Sequence, residues 1–372
     1  MDHPILQFGT GRFLQAHVDL FVAEALRQGQ ALGRITVVQS TQSAQSSARA
    51  TVLADGYRVE LRGMQDGAPV QTTVTVDSVQ TVWHANRDWS QLRDAMAHSV
   101  RVIVSNTADT GFQLDARDQP SLLTEPHFTP HSYPAKLLAL LHHRWLHAPD
   151  LPLSIYPCEL VSRNGDTLQG IVRTLASHWN VPVAFDRYLQ EHCVWVNSLV
   201  DRIVSTPLEP AGAVAEPYAL WALERHPRMV LPCTHPAMVV TDRLAEFEQR
   251  KLWLLNLGHT FLVERWQELG GAADMTVEQA MLTPALRNAL ESVWQEEVLP
   301  VLEAEGTGEE ARAYLRELRD RLLNPFLHHR LSDIAKNHAE KKQRRLAPVV
   351  QRAQELGLSL AQSALRKALH SP

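Results

Sequence analysis

Three side chains of complementary chemistry sit in one apolar run: Lys251, Asn256 and His259, within Lys251-Leu-Trp-Leu-Leu-Asn256-Leu-Gly-His259. An amine, a carboxamide and an imidazole are what the interconversion of an alcohol and a ketone requires. Lys251 can exchange the hydroxyl proton and Asn256 can donate to the developing alkoxide. His259 can hold the lysine, provided apolar surroundings lower the amine's pKa toward working pH. At about 100° per residue, an α-helix puts His259 roughly 80° from Lys251 and roughly 60° from Asn256, so the three share one broad face. A core-edge helix whose polar groups snorkel to water gives the same pattern, and the triplet alone does not separate the two.

A second signal lies near the start of the chain. Ile5-Leu-Gln-Phe-Gly9-Thr-Gly11-Arg-Phe-Leu14 reads as a short apolar strand, a glycine turn and a helix-competent run through Ala25. This is the context of a dinucleotide fingerprint: Gly9 permits the tight turn, Gly11 lets backbone amides approach a pyrophosphate, and the helix offers its positive end. The third glycine is replaced by Leu14, so a plain strand-to-helix turn stays equally open. The next strand ends in Gln39-Ser40-Thr41 rather than in the carboxylate that usually holds the adenosine ribose, which leaves the cofactor's 2′ preference open.

The elements that must position these residues follow from composition and periodicity. With 372 residues, 45% hydrophobic and 21% charged, the chain can bury a substantial core in two domains. A net charge of −5 gives no global attraction to nucleic acid or anionic membrane. Cys158, Cys193 and Cys233 are odd in number and far apart, as suits reduced thiols in a cytoplasmic protein. Cys158 reads as a small buried hydrophobe rather than a nucleophile. No apolar run is long enough to cross a membrane, and no signal peptide precedes the strand at residue 5. The histidines are scattered or adjacent, as in His142-His143 and His328-His329, so a zinc site is not expected.

Strand-like runs at 35–38, 57–61, 70–76, 100–105, 153–156 and 229–231 alternate with helical stretches, notably 88–97 and 135–147, which predicts a mostly parallel, doubly wound α/β sheet. After about residue 240 helical periodicity takes over, at 250–267, 277–302, 308–323, 325–337 and 346–369. The expected organisation is a Rossmann-type nucleotide-binding domain over 1–240 and a mostly α-helical substrate and catalytic domain over 241–372. A cleft between the halves would bring Lys251 opposite the glycine turn.

Ordered matches along the chain resemble one family. They are Gln7-Phe-Gly-Thr-Gly-Arg-Phe-Leu14, Val38-Gln-Ser-Thr41, Ser105-Asn-Thr-Ala-Asp-Thr-Gly111, Tyr133-Pro-Ala-Lys-Leu137, Pro157-Cys-Glu-Leu-Val-Ser-Arg-Asn-Gly165, Leu199-Val-Asp-Arg-Ile-Val204 and Glu216-Pro-Tyr218. Lys251 to His259, Asn324-Pro325 and Asn337-x-x-x-Lys341 complete the set. The chain resembles the polyol-specific long-chain dehydrogenases of the mannitol dehydrogenase family, and within it the hexuronate branch of tagaturonate (altronate) reductases. That resemblance implies metal-independent, NAD- or NADP-dependent oxidation and reduction of a sugar acid or polyol. Lys251 would be the general acid/base, Asn256 the oxyanion support and His259 the residue that orients the lysine. Gly9, Thr10, Gly11, Arg12, Phe13, Gln39, Ser40, Asn106 and Thr107 would contact the cofactor.

Mannitol-oxidising members carry an asparagine where this chain has Leu160, an aliphatic choice it shares with the hexuronate branch. Asn164 could supply the second oxyanion donor or merely cap a turn. Asp201 could join a proton relay or pair with Arg202. A sugar acid needs a cation for its carboxylate, and Arg321 and Lys341, which align with residues that reach the site in relatives, are the candidates. Each reads equally as a solvated helix charge, and the basic run from Lys336 to Arg345 as a surface face. Members of the hexuronate branch are longer, so a shorter or modified aldonate stays open as substrate. Two other readings remain: a catalytically silent nucleotide-binding protein and a decarboxylating hydroxyacid dehydrogenase. Oligomeric state is not legible.

Overall fold

The computed structural model describes residues 2–40, 44–107, 111–125 and 127–371. Thr41 and residues 108–110 of the matched stretches lie outside the described residues. The chain divides into two compact units: Met1–Glu60, Thr73–Ala215 and Ala219–Leu244 form one, and Leu61–Thr72, Glu216–Tyr218 and Ala245–Pro372 the other.

The first unit is built on a six-stranded sheet, its strands numbered along the chain: β1 (Ile5–Phe8), β2 (Ile35–Gln39), β3 (Val79–His84), β4 (Val102–Ser105), β5 (Leu153–Pro157) and β6 (Cys193–Trp195). The order across the sheet is β3-β2-β1-β4-β5-β6, with every pairing parallel. Strands β1, β2, β4 and β5 are buried at every position. That is why they read as near-continuous apolar runs rather than alternating ones, as strands covered on both faces do. The order reverses between β1 and β4, and open α/β sheets bind ligands at such a switch point, outside the carboxyl ends of the strands. Phe8 stands opposite both Val38 and Ser105, and Ser105 opposite Pro157, so Gly9, Asn106 and Cys158 all leave the sheet along one edge.

Three local expectations are corrected. The run 229–231 is not a strand. Pro227 and Pro232 flank it and remove ladder donors, and β5 side chains satisfy its backbone: Tyr156 Oη donates to Val230 O at 2.7 Å and Val230 N donates to Ser154 Oγ at 2.8 Å. The neighbouring segments Ser198–Asp201, Leu220–Glu224 and Met238–Thr241 form a three-stranded sheet instead. The runs at 57–61 and 70–76 do not join the parallel sheet. They belong to a hairpin, Tyr57–Gln65 and Ala68–Val76, turned by Asp66 and Gly67 at φ 52° and 74°. The helix after the glycine turn is broken into Arg12–Gln15 and Val18–Arg27. The break is His17, fully buried, with its ring nitrogen on Leu220 O at 3.0 Å. Burial holds that imidazole down to about 3, so it is neutral and donates.

The second unit is helical around a core that includes Leu254, Leu257, Trp294, Val298 and Leu318. Thr276 and Gln279 close a capping box at the start of Val277–Leu282. The expected helix over 325–337 shrinks to Leu331–Ile334. Asn324 prevents a continuous start by accepting from Phe326 N with Oδ1 at 3.0 Å, and Asn337 sits in the left-handed region at φ 56°. No helix among the described residues is long and apolar enough to cross a membrane, and none of their side chains form a metal-binding group of three or more His, Cys, Asp or Glu.

Candidate active site

The lysine segment is not the uniform α-helix that its sequence suggests. Lys251–Asn256 is a π-helical turn, followed by the α-helix Leu257–Glu268. The amide of Leu257 reaches back five residues to Leu252 O, the signature of the wider turn. The angles between the three side chains therefore change. In an α-helix Lys251 and Asn256 would stand about 140° apart, whereas residues five apart open and close a single π-turn and stack on one face. His259 follows within the next turn and is buried, while Lys251 and Asn256 are half-buried.

A wide turn leaves carbonyls badly served by the helix, and two side chains answer them. Trp294 Nε1 donates to Leu254 O at 3.2 Å, from a second π-turn, Val293–Val298. Arg345 Nη1 reaches Asn256 O at 3.4 Å and Thr260 Oγ1 at 3.1 Å. Gly258 makes room for the indole, since a Cβ there would lie 2.9 Å from Trp294 Cζ2. Trp294→Phe should cost about 1–3 kcal/mol by stranding the Leu254 carbonyl. A thermal melt should show a drop of a few degrees, accompanied by a fall in kcat. An unchanged melt would mean that the turn holds itself.

Around this helix the structure gathers further basic groups. The His259 ring meets His329 edge-on, with centroids 5.1 Å apart. Burial, with a smaller push from Lys341, keeps His329 below the usual histidine pKa. Lys341 Nζ donates to Ile334 O at 2.7 Å, and burial and the nearby Arg345 lower its pKa. Arg321 is a different case. Expected to hold a substrate carboxylate, it holds Glu216 instead: Nε to Oε2 and Nη2 to Oε1, both 2.9 Å, with side-chain exposures of 3% and 1%. Tyr314 Oη accepts from Nη1 at 3.2 Å, and the Tyr218 ring lies 4.1 Å beneath the guanidinium carbon. A bidentate, stacked guanidinium of this kind is a fastener for the Glu216-Pro-Tyr218 segment.

In the first unit the expected cofactor residues sit on the carboxyl edge of the sheet. Gly9 has φ 128°, and a Cβ on it would come within 2.5 Å of Asn106 O, so only glycine fits. Nothing lies within 4 Å of the Cβ position of Gly11, which leaves its backbone open to a ligand. Thr10 is buried, with its carbonyl taken by Gln15 Nε2 at 2.9 Å, and Phe13 stacks on His17. Arg12 grips the Glu209–Gly212 turn, donating to Glu209 Oε1 and Gly212 O at 2.9 Å and to Pro210 O at 3.1 Å. Gln39 is buried and donates to Ser47 Oγ at 3.3 Å, and Ser40 is exposed.

Sequence reasoning missed the residue that ties this edge together. Glu159 accepts from Ser105 Oγ at 3.0 Å, Thr107 N at 3.0 Å and Thr107 Oγ1 at 2.9 Å. Asn106 Nδ2 donates to the adjacent Cys158 carbonyl at 2.7 Å. Burial pushes the Glu159 carboxyl above its ordinary range, and the Thr107 and Ser105 donors partly offset that. The fully buried Cys158 thiol is pushed up as well, which suits the inert role expected of it. Asn164 resolves toward structure. Its Nδ2 donates to Pro157 O, Glu159 O and Ser198 O at 3.0–3.1 Å, and its Oδ1 accepts from Gly165 N and Ser198 N, so the amide braces β5 against Ser198–Asp201. Asp201 is buried at the end of that strand, and the adjacent Arg202 donates to Ala16 O at 2.7 Å.

Family comparison decides the lineage. Residues 3–231 match the mannitol dehydrogenase Rossmann domain, and residues 243–370 match the mannitol dehydrogenase C-terminal domain. The chain belongs to the mannitol dehydrogenase family. It is 30% identical over 369 residues to an altronate oxidoreductase of Halalkalibacterium halodurans, covering 92% of this chain and 69% of that protein. It is 28% identical to one of Bacillus subtilis, covering 95% and 76%. A D-sorbitol dehydrogenase in substrate-free form shares the fold with a TM-score of 0.84 at 19% identity, over 99% of this chain and 80% of that one. So does the Pseudomonas fluorescens mannitol 2-dehydrogenase, solved as a ternary complex with NAD and D-mannitol, with a TM-score of 0.72 at 19% identity, over 99% and 78%.

Proposed function

We propose that this member of the mannitol dehydrogenase family is a metal-independent, NAD(P)-dependent oxidoreductase. It interconverts the secondary alcohol of a sugar acid or polyol, of the altronate type, with the corresponding ketone. The observation that carries the reading is the π-turn, which stacks Lys251 and Asn256 one turn apart with the buried His259 just beyond. Lys251 takes the hydroxyl proton as the alcohol is oxidised and returns it on reduction. The Asn256 carboxamide donates to the oxygen as it becomes alkoxide-like, and His259 orients the amine. Asn164 acts through the packing of the first unit, and Asp201 either joins the proton relay or pairs with Arg202.

A nicotinamide dinucleotide suits the first unit, because Gly9 admits no side chain and Gly11 leaves the turn open. Hydride acceptance and delivery are the chemistry such a cofactor supplies when bound. Thr10 to Phe13 would face its pyrophosphate, Gln39 and Ser40 its adenosine ribose, and Asn106 and Thr107 its nicotinamide side. Since β2 ends without a carboxylate, NAD and NADP both remain admissible. The first 240 residues, apart from the Leu61–Thr72 and Glu216–Tyr218 segments of the helical unit, then serve as cofactor domain, and the remainder as catalytic and substrate domain. Three free, buried cysteines suit a reducing cytoplasm.

The test is a screen of aldonates, ketouronates and neutral polyols, followed by absorbance of the reduced nicotinamide with each cofactor. Turnover of an altronate-type acid is the expected result. Cofactor binding without turnover across the whole panel would leave a silent nucleotide-binding protein.

A further inference from the structure

Lys341 and Arg345 stand four residues apart on the helix His338–Arg345, so the two cations share one face. Like charges in that relation repel unless an anion lies between them. Their helix neighbours are provided for: Lys342 pairs with Glu264 at 3.3 Å and Arg344 with Glu340 at 3.4 Å. Neither Lys341 nor Arg345 has a carboxylate within ion-pair distance among the described residues. The contacts each does make are to neutral oxygens: Ile334 O for Lys341, and Asn256 O and Thr260 Oγ1 for Arg345. Only Nη1 of Arg345 is so engaged, which leaves the Nε and Nη2 edge of the guanidinium, the fork that fits a carboxylate, without a protein anion. That edge belongs to a side chain resting on the backbone of Asn256.

We infer that Arg345, with Lys341 beside it, is the specificity-determining clamp for the carboxylate of an acidic substrate, a role the buried Arg321 does not fill. The inference rests on the oxidoreductase reading for its reaction, but the clamp is a matter of binding and can be read without turnover. A carboxylate held there relieves the repulsion between the two cations and fixes the acid end of the substrate relative to Asn256. A neutral polyol gains neither.

The experiment compares a six-carbon aldonate with its own carboxamide on the unsubstituted protein, R345M and R345K. Calorimetry on protein saturated with reduced cofactor, which cannot accept hydride from the aldonate, gives affinity, and kcat/KM is measured separately with oxidised cofactor where turnover is seen. The unsubstituted protein should prefer the acid by about 100-fold, and R345M should lose most of that preference, with R345K recovering part of it. A merely structural Arg345, supporting Thr260 and the Asn256 carbonyl, would weaken acid and amide alike and leave their ratio unmoved. Equal losses for both ligands, or an acid bound no better than its amide by the unsubstituted protein, overturn the clamp. A collapsed ratio in calorimetry without turnover in any variant upholds the clamp and defeats the oxidoreductase reading, so the two failures are distinct.

Discussion

Lys251→Ala is expected to lower kcat for the altronate-type substrate by about 10³–10⁴-fold, the range lost when a positioned general acid/base is removed. Cofactor affinity should change by no more than about twofold, because the lysine lies in the helical unit and the glycine turn in the other. Asn256→Ala should cost about 10²-fold or more in kcat, as loss of a single oxyanion donor does. Steady-state kinetics beside a nicotinamide fluorescence titration check both, with a melt to confirm folding. If K251A turns over at the unsubstituted rate, the proton is carried by another group and the mechanism is wrong.

Glu216→Ala should be the most destabilising single change in the helical unit. It removes the bidentate carboxylate from the Arg321 guanidinium in a site where the partners are 3% and 1% exposed. Removing one member of such a pair costs about 3–5 kcal/mol, enough to lower the midpoint by about ten degrees in a thermal melt. Replacing both members by apolar residues, Glu216→Leu with Arg321→Met, should recover much of that loss, since an ion pair of this kind contributes little beyond a well-packed apolar equivalent. A melt for E216A within about two degrees of the parent would mean that water reaches the pair.

The parallel sheet was legible because buried strands write themselves as apolar runs: Ile5 to Phe8 and Val102 to Ser105 needed no tertiary information. The glycine turn was legible by residue type and context, although the clash that forces Gly9, with Asn106 O beyond β4, is a tertiary one. The lysine, asparagine and histidine could be picked out by type, but their relation could not. A π-turn differs from an α-turn by one residue of backbone, and the partners that stabilise it, Trp294 and Arg345, lie 40 and 89 residues from the carbonyls they serve. Arg321 misled for a related reason. Nothing local distinguishes an arginine awaiting a substrate from one matched to a glutamate 105 residues earlier. Asn164, similarly, reads as an oxyanion donor or a turn cap until Ser198 is folded against it. The run 229–231 failed because side-chain bonds from β5 stood in for a strand ladder that hydrophobicity alone suggested.

The wide turn at Lys251–Asn256 also bears on how this segment can change over time. Leucine, isoleucine or methionine could replace one another at 252, 254 and 255 with modest repacking. Loss of a single codon anywhere between the lysine and the asparagine would leave the two four apart and about 40° from each other on an ordinary α-turn, and would close the wide turn whose carbonyls Trp294 and Arg345 serve. Selection on this stretch therefore acts on its length more stringently than on its letters, and natural variants should show substitutions there but no insertions or deletions.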